Sequence, residues 1–238
     1  DGLVLNLTLS DAVTLRFFTR ASPGSVFQQI IDDLQVPPAV VAGMNMPGAI
    51  MGGYGTMSGM DRVMDAYADW IATIYKAMGP PFSEQADQYR ELTLAMQGVY
   101  TGGYNFFLLP AKSGDSPFQM GGIYEISDKA KAADSIRKMM ALQSAQAATL
   151  KGESNAVPVE PIVSDYRGME VTTFQYDFGI NPASADDMPP SLMGMLSGLD
   201  YHVAFKDNLM LYAAGAKENL DPVIDQLEQA GSAQSMAV

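Results

Sequence analysis

The first twenty residues alternate between apolar and polar positions, with the two-residue period of a strand that is buried on one face. The apolar face of the first run consists of Leu3, Leu5, Leu7 and Leu9. Ser10 and Asp11 are typical of a tight turn, and the alternation resumes with Val13, Leu15 and Phe17. We therefore expect two strands joined by a turn.

A helical period follows this strand pair. Ser22 and Pro23 suit the N-cap and the first position of a helix. The apolar positions after them recur at helical spacing and are Val26, Phe27, Ile30, Ile31 and Leu34. Pro37-Pro38 cannot continue a helix, so the pattern predicts a helix that ends before this pair.

The order of two strands and a helix returns later in the chain. The candidate strand pairs span 105–109 with 118–126, 159–163 with 169–178, and 201–205 with 209–213, the last joined by Lys206-Asp207-Asn208. Ser127 is positioned to cap a long helix, and Asp221-Pro222 to open another that Gly231 ends. Two further helices are predicted over 60–78 and 83–97, and irregular segments over 36–59 and 180–199.

These elements predict an α+β fold with a largely antiparallel sheet, built from repeated strand–strand–helix units with extra helices in the first half. We expect a single domain over residues 1–238, with two packed subdomains, 1–98 and 99–238, as the alternative.

Composition narrows the chemistry by exclusion. Among 238 residues there are 27 Asp and Glu against 14 Lys and Arg, a formal charge of −13, which repels the phosphates of nucleic acids. The absence of Cys excludes disulfides, thiol nucleophiles and Cys-ligated metals, and the single His excludes a site with two imidazoles. No segment has the uniform apolar character of a membrane-spanning helix. The chain begins in strand-like sequence, so we expect a fragment or a mature product whose leader has been removed.

Methionine is the one unusual feature of the composition, with 17 residues. They concentrate in two Gly- or Pro-rich segments, one around Met44–Met64 and one around Met188–Met195. Flexible thioethers suit an adaptable apolar groove, or a soft metal such as Cu(I). We favour the groove, because no repeated Met-x-x-Met pattern occurs, and expect no metal and no cofactor. The predicted ligand-binding residues are Met44, Met46, Met51, Tyr54, Met57, Met60, Met188 and Met193.

Catalytic motifs find little support in the sequence. Ser135 and Lys138 have the Ser-x-x-Lys spacing of penicillin-recognising acyl transferases, but Ser135 lies well inside a predicted helix, so we expect a solvent-facing helix surface there. His202 sits in an alternating strand, where an ordinary half-exposed or hydrogen-bonded imidazole is expected. We therefore predict no catalytic residue. A hydrolase that uses two converging carboxylates stays open as an alternative, as does a protein–protein assembly module that uses the edge of the strand over 2–9.

Three segments carry a resemblance to a known group of proteins. They are a strand entering a helix (Gly122 to Ala130, GIYEISDKA), a turn (Tyr166 to Val171, YRGMEV) and a hairpin leading into a helix (Tyr201 to Gly215). They resemble the C-terminal half of an uncharacterised family of exported bacterial proteins, often with signal or lipoprotein leaders, whose domain is of unknown function. Phe17-Phe18, Pro23-Gly24-Ser25 and Pro47-Gly48-Ala49 resemble the middle of these proteins. The resemblance implies a periplasmic or cell-surface location and supplies no catalytic residue.

Together these observations predict a non-catalytic, extracytoplasmic binding or envelope-associated domain with an apolar ligand groove. The expected partner is a lipid, a peptide or an envelope protein. Membrane anchoring would come only through a leader.

Overall fold

The computed structural model describes residues 2–9, 13–20, 22–24, 28, 48–57, 64–80, 82–110, 118–150, 160–176 and 199–235. Contacts between residues divide the chain into two units, Asp1–Leu34 and Gln35–Val238. This division does not test whether the chain is one domain or two subdomains, 1–98 and 99–238. Both alternatives stay predictions.

The first unit contains the predicted strand pair. Strands β1 (Gly2–Leu9) and β2 (Val13–Arg20) are antiparallel, and their register runs from Gly2 opposite Arg20 to Leu9 opposite Val13. The alternating pattern at the start of the chain therefore predicted both strands correctly. In the helix predicted next, Gln28 is helical, whereas the apolar positions lie outside the described residues.

The second unit is built on a seven-stranded antiparallel sheet with the strand order β3-β4-β5-β9-β8-β7-β6. Its strands are β3 (Met51–Thr56), β4 (Tyr100–Pro110), β5 (Phe118–Ile126), β6 (Ile162–Tyr166), β7 (Met169–Tyr176), β8 (Leu199–Lys206) and β9 (Leu209–Ala214). Strands β6 to β9 form a continuous meander, and the β5–β9 pair joins it to the β4–β5 hairpin, on whose outer edge β3 pairs with β4.

Four helices occur in the described part of this unit: α1 (Met64–Met78), α2 (Phe82–Ala95), α3 (Lys129–Leu150) and α4 (Asp221–Ser235). A short 3-10 turn, Lys217–Leu220, precedes α4. An α+β fold with an antiparallel sheet is therefore confirmed.

Helices cover both faces of the sheet. Alternate residues of a strand point to opposite sides, so a strand can contribute apolar side chains to both faces. On one face α3 packs against a buried cluster formed by Val99, Ile126, Ala132, Ile136, Phe174, Val203 and Met210. On the other face α4 and the 3-10 turn contribute Leu220, Val223, Ile224 and Leu227 to a cluster with Phe107, Ile123, Val171, Ala204 and Leu211. Strand β9 is buried on both sides along its whole length.

The segment over 36–59 contains a strand where we expected only irregular structure. Strand β3 pairs with β4 at the edge of the sheet, with Gly55 opposite Tyr104 and Gly53 opposite Phe106. A Cβ atom on Gly55 would lie 2.8 Å from the Tyr104 hydroxyl oxygen, so this glycine makes room for the aromatic ring beside it. A strand of this kind lacks apolar alternation, which explains why the sequence pattern did not predict it.

Helix termini differ from the sequence-based expectation in α2, which spans Phe82–Ala95 and not 83–97, and at the two predicted caps of α3 and α4. Asp128, not Ser127, caps α3, since its carboxylate accepts a hydrogen bond from the Lys131 amide at 3.0 Å. The Ser127 hydroxyl instead donates to the Gly98 carbonyl oxygen at 2.5 Å. Helix α4 does not end at Gly231 but continues to Ser235.

The two hairpin turns of the meander are shorter than predicted. Lys206 is the last residue of β8 and pairs with Leu209, so the turn consists of Asp207 and Asn208 alone. Between β6 and β7 the turn is Arg167-Gly168, and both residues have positive φ, 52° and 76°. This pair of left-handed residues is the geometry of a type I′ hairpin turn.

Candidate functional site

A partly open apolar cavity of about 480 Å³ lies between the sheet and helices α1, α2 and α3. Its wall contains six methionines, namely Met57, Met64, Met96, Met139, Met140 and Met210. The rest of the wall consists of four tyrosines, Tyr67, Tyr100, Tyr124 and Tyr201, together with Thr93 and Ile136. The volume falls within the range of small-molecule binding sites, roughly 300–1,000 Å³.

Regular spacing in the helices places their side chains in this wall. Ile136, Met139 and Met140 lie at positions i, i+3 and i+4 of α3, which share one face of a helix. Met64 and Tyr67 have the same i, i+3 relation at the start of α1.

Strand register places the sheet side chains. Tyr124 of β5 is directly opposite Met210 of β9 on one side and Tyr104 of β4 on the other. Tyr100 precedes an irregularity in β4 between residues 100 and 104, beyond which the strand resumes regular pairing with β5. The cavity floor is thus assembled from four strands, β4, β5, β9 and β8.

Aromatic rings continue along this face of the sheet as a tyrosine cluster, which we define as Tyr100, Tyr104, Tyr124, Tyr201 and Tyr212. The Tyr100 and Tyr124 ring centroids are 5.4 Å apart in an edge-to-face arrangement, and Tyr104 stacks on Tyr124 at 5.7 Å. Tyr212 links Tyr124, at 5.4 Å, to Tyr201, at 5.9 Å. Such contacts stabilise the aromatic wall beyond simple burial of area.

Burial disfavours the ionised form of four phenols of this cluster. It raises the pKa of Tyr100 to about 12, and it raises the pKa of Tyr124, Tyr201 and Tyr212 above the ordinary value. Each hydroxyl therefore carries its proton at neutral pH and can donate a hydrogen bond. Within the described part of the chain, the cavity wall includes no Asp, Glu, Lys, Arg or His.

The hydroxyl of Tyr100 donates to a weak acceptor. Its described partner is the thioether sulfur Sδ of Met210, at 3.9 Å. Thioether sulfur accepts hydrogen bonds poorly, so this donor is only weakly satisfied inside an apolar cavity.

Of the predicted ligand-binding residues, Met57 lines the cavity. Met51 and Tyr54 lie on β3 with 55% and 64% of their surface exposed, and neither belongs to the cavity wall. The other five, Met44, Met46, Met60, Met188 and Met193, lie outside the described residues. That these eight residues form a ligand-binding site stays a prediction.

Most of the wall was not among the predicted site residues. Met139 and Met140 stand in the apolar stripe of a predicted helix, which ordinarily indicates core packing. Tyr124 and Tyr201 lie in predicted strands that are far apart in sequence, whereas Tyr100 lies between the helix predicted over 83–97 and the strand predicted over 105–109. The sequence offered one indication of this wall, namely that several strands carry a tyrosine. These tyrosines can be assigned to one face of the sheet only when the order of the strands is known.

His202 has the structural role that its position in a strand predicted. The side chain is 2% exposed, and its Nε2 lies 2.7 Å from the Gly215 carbonyl oxygen, which can only accept. The proton therefore resides on Nε2, and Nδ1 accepts from the Thr173 hydroxyl at 2.9 Å. Burial lowers the pKa of this imidazole.

Ser135 differs from the expectation of a solvent-facing position, because it is buried with 5% of its surface exposed. Lys138 points to solvent and pairs with Asp134 at 2.7 Å. The Ser-x-x-Lys spacing thus places its two side chains in different environments.

Two further properties concern only the described residues. Among them, no three His, Asp or Glu side chains are grouped closely enough to hold a metal ion. None of the described helices combines the length and apolar character required to cross a membrane.

Comparison with known proteins gives no relative from which a function could be transferred. No family model matches the chain, and neither a curated protein nor a solved structure matches it. The likeness to exported bacterial proteins therefore stays a prediction.

Proposed function

We propose that this chain is a non-catalytic, extracytoplasmic domain that binds an apolar ligand in the cavity between its sheet and helices α1 to α3. The observation that carries the proposal is the cavity itself, about 480 Å³ of space walled by six methionines and four tyrosines. Single ligand sites in proteins commonly combine this size with an apolar wall and a few polar groups.

The composition of the wall supports a binding role. Methionine side chains are unbranched and polarisable, so they adapt to ligands of different shape. An empty apolar cavity destabilises a fold, because the atoms of its wall lose packing partners. An apolar ligand that fills the space restores these contacts and stabilises the folded state by mass action.

The proposed location rests on other observations. An acidic chain without Cys is compatible with the periplasm or the cell surface, and the likeness to exported bacterial proteins favours it. The proposed partner is a lipid, a peptide or an envelope protein. We also retain the strand–strand–helix unit as a proposal for how the fold is organised, since β4–β5–α3 and β8–β9–α4 follow that order.

Titration with the uncharged fluorescent probe N-phenyl-1-naphthylamine tests the binding proposal. We expect saturable binding of one probe per chain, with strongly enhanced emission. Met139→Trp fills the cavity and should weaken binding by about tenfold or more, since one large side chain displaces a ligand-sized volume. The matched control is Met78→Trp, because Met78 is exposed on α1 and lies outside the wall. Absence of saturable binding to the wild type, or equal binding by both variants, would contradict the proposal.

Assembly is a second candidate function, favoured by an exposed apolar stripe on α1. The stripe consists of Tyr67, Trp70, Ile74 and Met78, which are between 36% and 58% exposed. Exposed apolar patches of this kind often mark contacts between proteins, here with a second copy of the chain. Sedimentation velocity should then give a concentration-dependent dimer that Trp70→Ser abolishes. A monomer at all concentrations would remove this candidate.

A further inference from the structure

The Tyr100 hydroxyl is a hydrogen-bond donor on the cavity wall with a poor partner. Its contact with Met210 Sδ is 3.9 Å long, whereas a hydroxyl bonded to oxygen lies about 2.7–2.8 Å away. A ligand oxygen in the cavity could therefore replace the sulfur as acceptor and gain a stronger bond.

Neighbouring hydroxyls are better satisfied by the protein. Tyr212 and Tyr124 are hydrogen-bonded to each other. The Thr93 hydroxyl donates to the Tyr89 carbonyl oxygen at 2.8 Å. Of the two wall hydroxyls whose donated hydrogen bond is described, Thr93 has a carbonyl oxygen as acceptor and Tyr100 has only the thioether sulfur, so a ligand oxygen can replace the partner of Tyr100 with a gain in bond strength.

The wall also indicates the charge of the ligand. An ionised group loses its hydration in an apolar cavity and needs a partner of opposite charge, which the described wall does not provide. A neutral acceptor such as an ester, ketone or ether oxygen needs only a neutral donor.

We propose that the cavity selects an uncharged amphiphile whose acceptor oxygen receives a hydrogen bond from the Tyr100 hydroxyl, with the apolar part of the ligand against the methionines. This inference rests on the proposed binding function and adds the chemical class of the ligand. Tyr100 acts here as the specificity-determining residue.

Three probes separate the contributions: methyl laurate, pentadecane and laurate. Methyl laurate carries a neutral ester, and pentadecane has the same number of non-hydrogen atoms but no acceptor. Laurate carries a carboxylate. Each probe is titrated against N-phenyl-1-naphthylamine bound to the wild type and to the variants, and its displacement is measured. For the effect of a substitution, affinities for the same probe are compared between proteins, so that the different solubilities of the probes cancel.

Tyr100→Phe removes the hydroxyl and keeps the ring. We expect its affinity for methyl laurate to fall about three- to tenfold, the effect of one neutral hydrogen bond, while its affinity for pentadecane changes by less than about twofold. Tyr104→Phe is the matched control, because Tyr104 belongs to the same tyrosine cluster but not to the cavity wall. It should change neither affinity.

Met210→Leu provides a second test that keeps the Tyr100 hydroxyl. Without the sulfur, this hydroxyl has no competing acceptor, so the affinity for methyl laurate should rise about two- to threefold. Circular dichroism establishes that each variant is folded before its affinity is interpreted.

The outcomes separate this inference from the proposed function. If no probe displaces N-phenyl-1-naphthylamine and none binds, the binding function itself fails. If methyl laurate and pentadecane bind but Tyr100→Phe weakens both equally or neither, the binding function stands and the role of Tyr100 is wrong. Laurate binding to the wild type as tightly as methyl laurate would overturn the selection for an uncharged ligand.

Discussion

At the scale of single residues, the fold depends on buried polar groups that find specific partners. His202 joins strand β7 to the segment after β9 by bonding Thr173 on one side and the Gly215 carbonyl oxygen on the other. This arrangement requires the neutral imidazole, because a protonated ring would direct a second N–H at Nδ1 toward a hydroxyl and bury a charge.

We expect His202 to make the folded state less stable at mildly acidic pH. Burial lowers its pKa in the folded state, so the unfolded chain binds more protons below the ordinary histidine pKa, which is 6.5. Stability is therefore fully present above this pH and is lost as the pH falls through it toward the lower pKa of the folded state.

Urea unfolding at a series of pH values from about 7.5 to 5 measures this dependence. This range is chosen because it includes the pKa of about 6.5 that His202 has in the unfolded chain. In His202→Gln the pH dependence over this window should be smaller, and the free energy of unfolding at pH 7.5 should fall by about 1–3 kcal/mol, the range for a disturbed buried hydrogen-bond pair. An unchanged pH dependence in the variant would show that other groups cause it.

At the scale of elements, glycines set how closely the aromatic rings of the sheet approach the backbone. Gly122 of β5 lies opposite Tyr212, and a Cβ atom there would meet the Asn105 carbonyl oxygen and come within 2.9 Å of the Tyr212 ring. The nearest atoms to a Cβ on Gly55 of the edge strand β3 all belong to the Tyr104 side chain, with the hydroxyl oxygen at 2.8 Å. The Asn105 carbonyl oxygen belongs to the backbone and cannot move away from a new Cβ atom as easily as the Tyr104 side chain can at the edge of the sheet.

Two alanine substitutions therefore should differ in their effect. Gly122→Ala is expected to lower the free energy of unfolding by about 2–3 kcal/mol, as for overpacking in a core. Gly55→Ala should lower it by less than about 1 kcal/mol, because the Tyr104 ring can shift into solvent. Thermal and urea denaturation measure both values, and equal effects would contradict the distinction between central and edge strands.

Periodicity predicted most of the elements for a physical reason. The β8–β9 hairpin and α3 carry their pattern within a short segment, so local spacing is sufficient to find them. Strand β3 was missed because its glycines receive the rings of β4, and the boundary of α4 was missed because packing of Val223, Ile224 and Leu227 supports a helix that continues through Gly231.

At the scale of the whole molecule, the cavity results from the strand order. Strands β5 and β9 are adjacent in the sheet but separated in sequence by α3 and the strands β6 to β8. This pairing brings Tyr124 next to Met210, and no local pattern contains that information. The methionine content of the sequence agrees with the six methionines in the cavity wall, whereas most of the residues in the described wall became identifiable only from the fold.

NMR of protein labelled with ¹³C in the methionine methyl groups, recorded with and without methyl laurate, tests most directly whether the cavity binds an apolar ligand. We expect shifts for the six methionines of the cavity wall, Met57, Met64, Met96, Met139, Met140 and Met210, while the exposed Met51 and Met78 stay unchanged. If none of the six moves at saturating methyl laurate, or if Met51 and Met78 move and the six do not, the cavity is not the binding site.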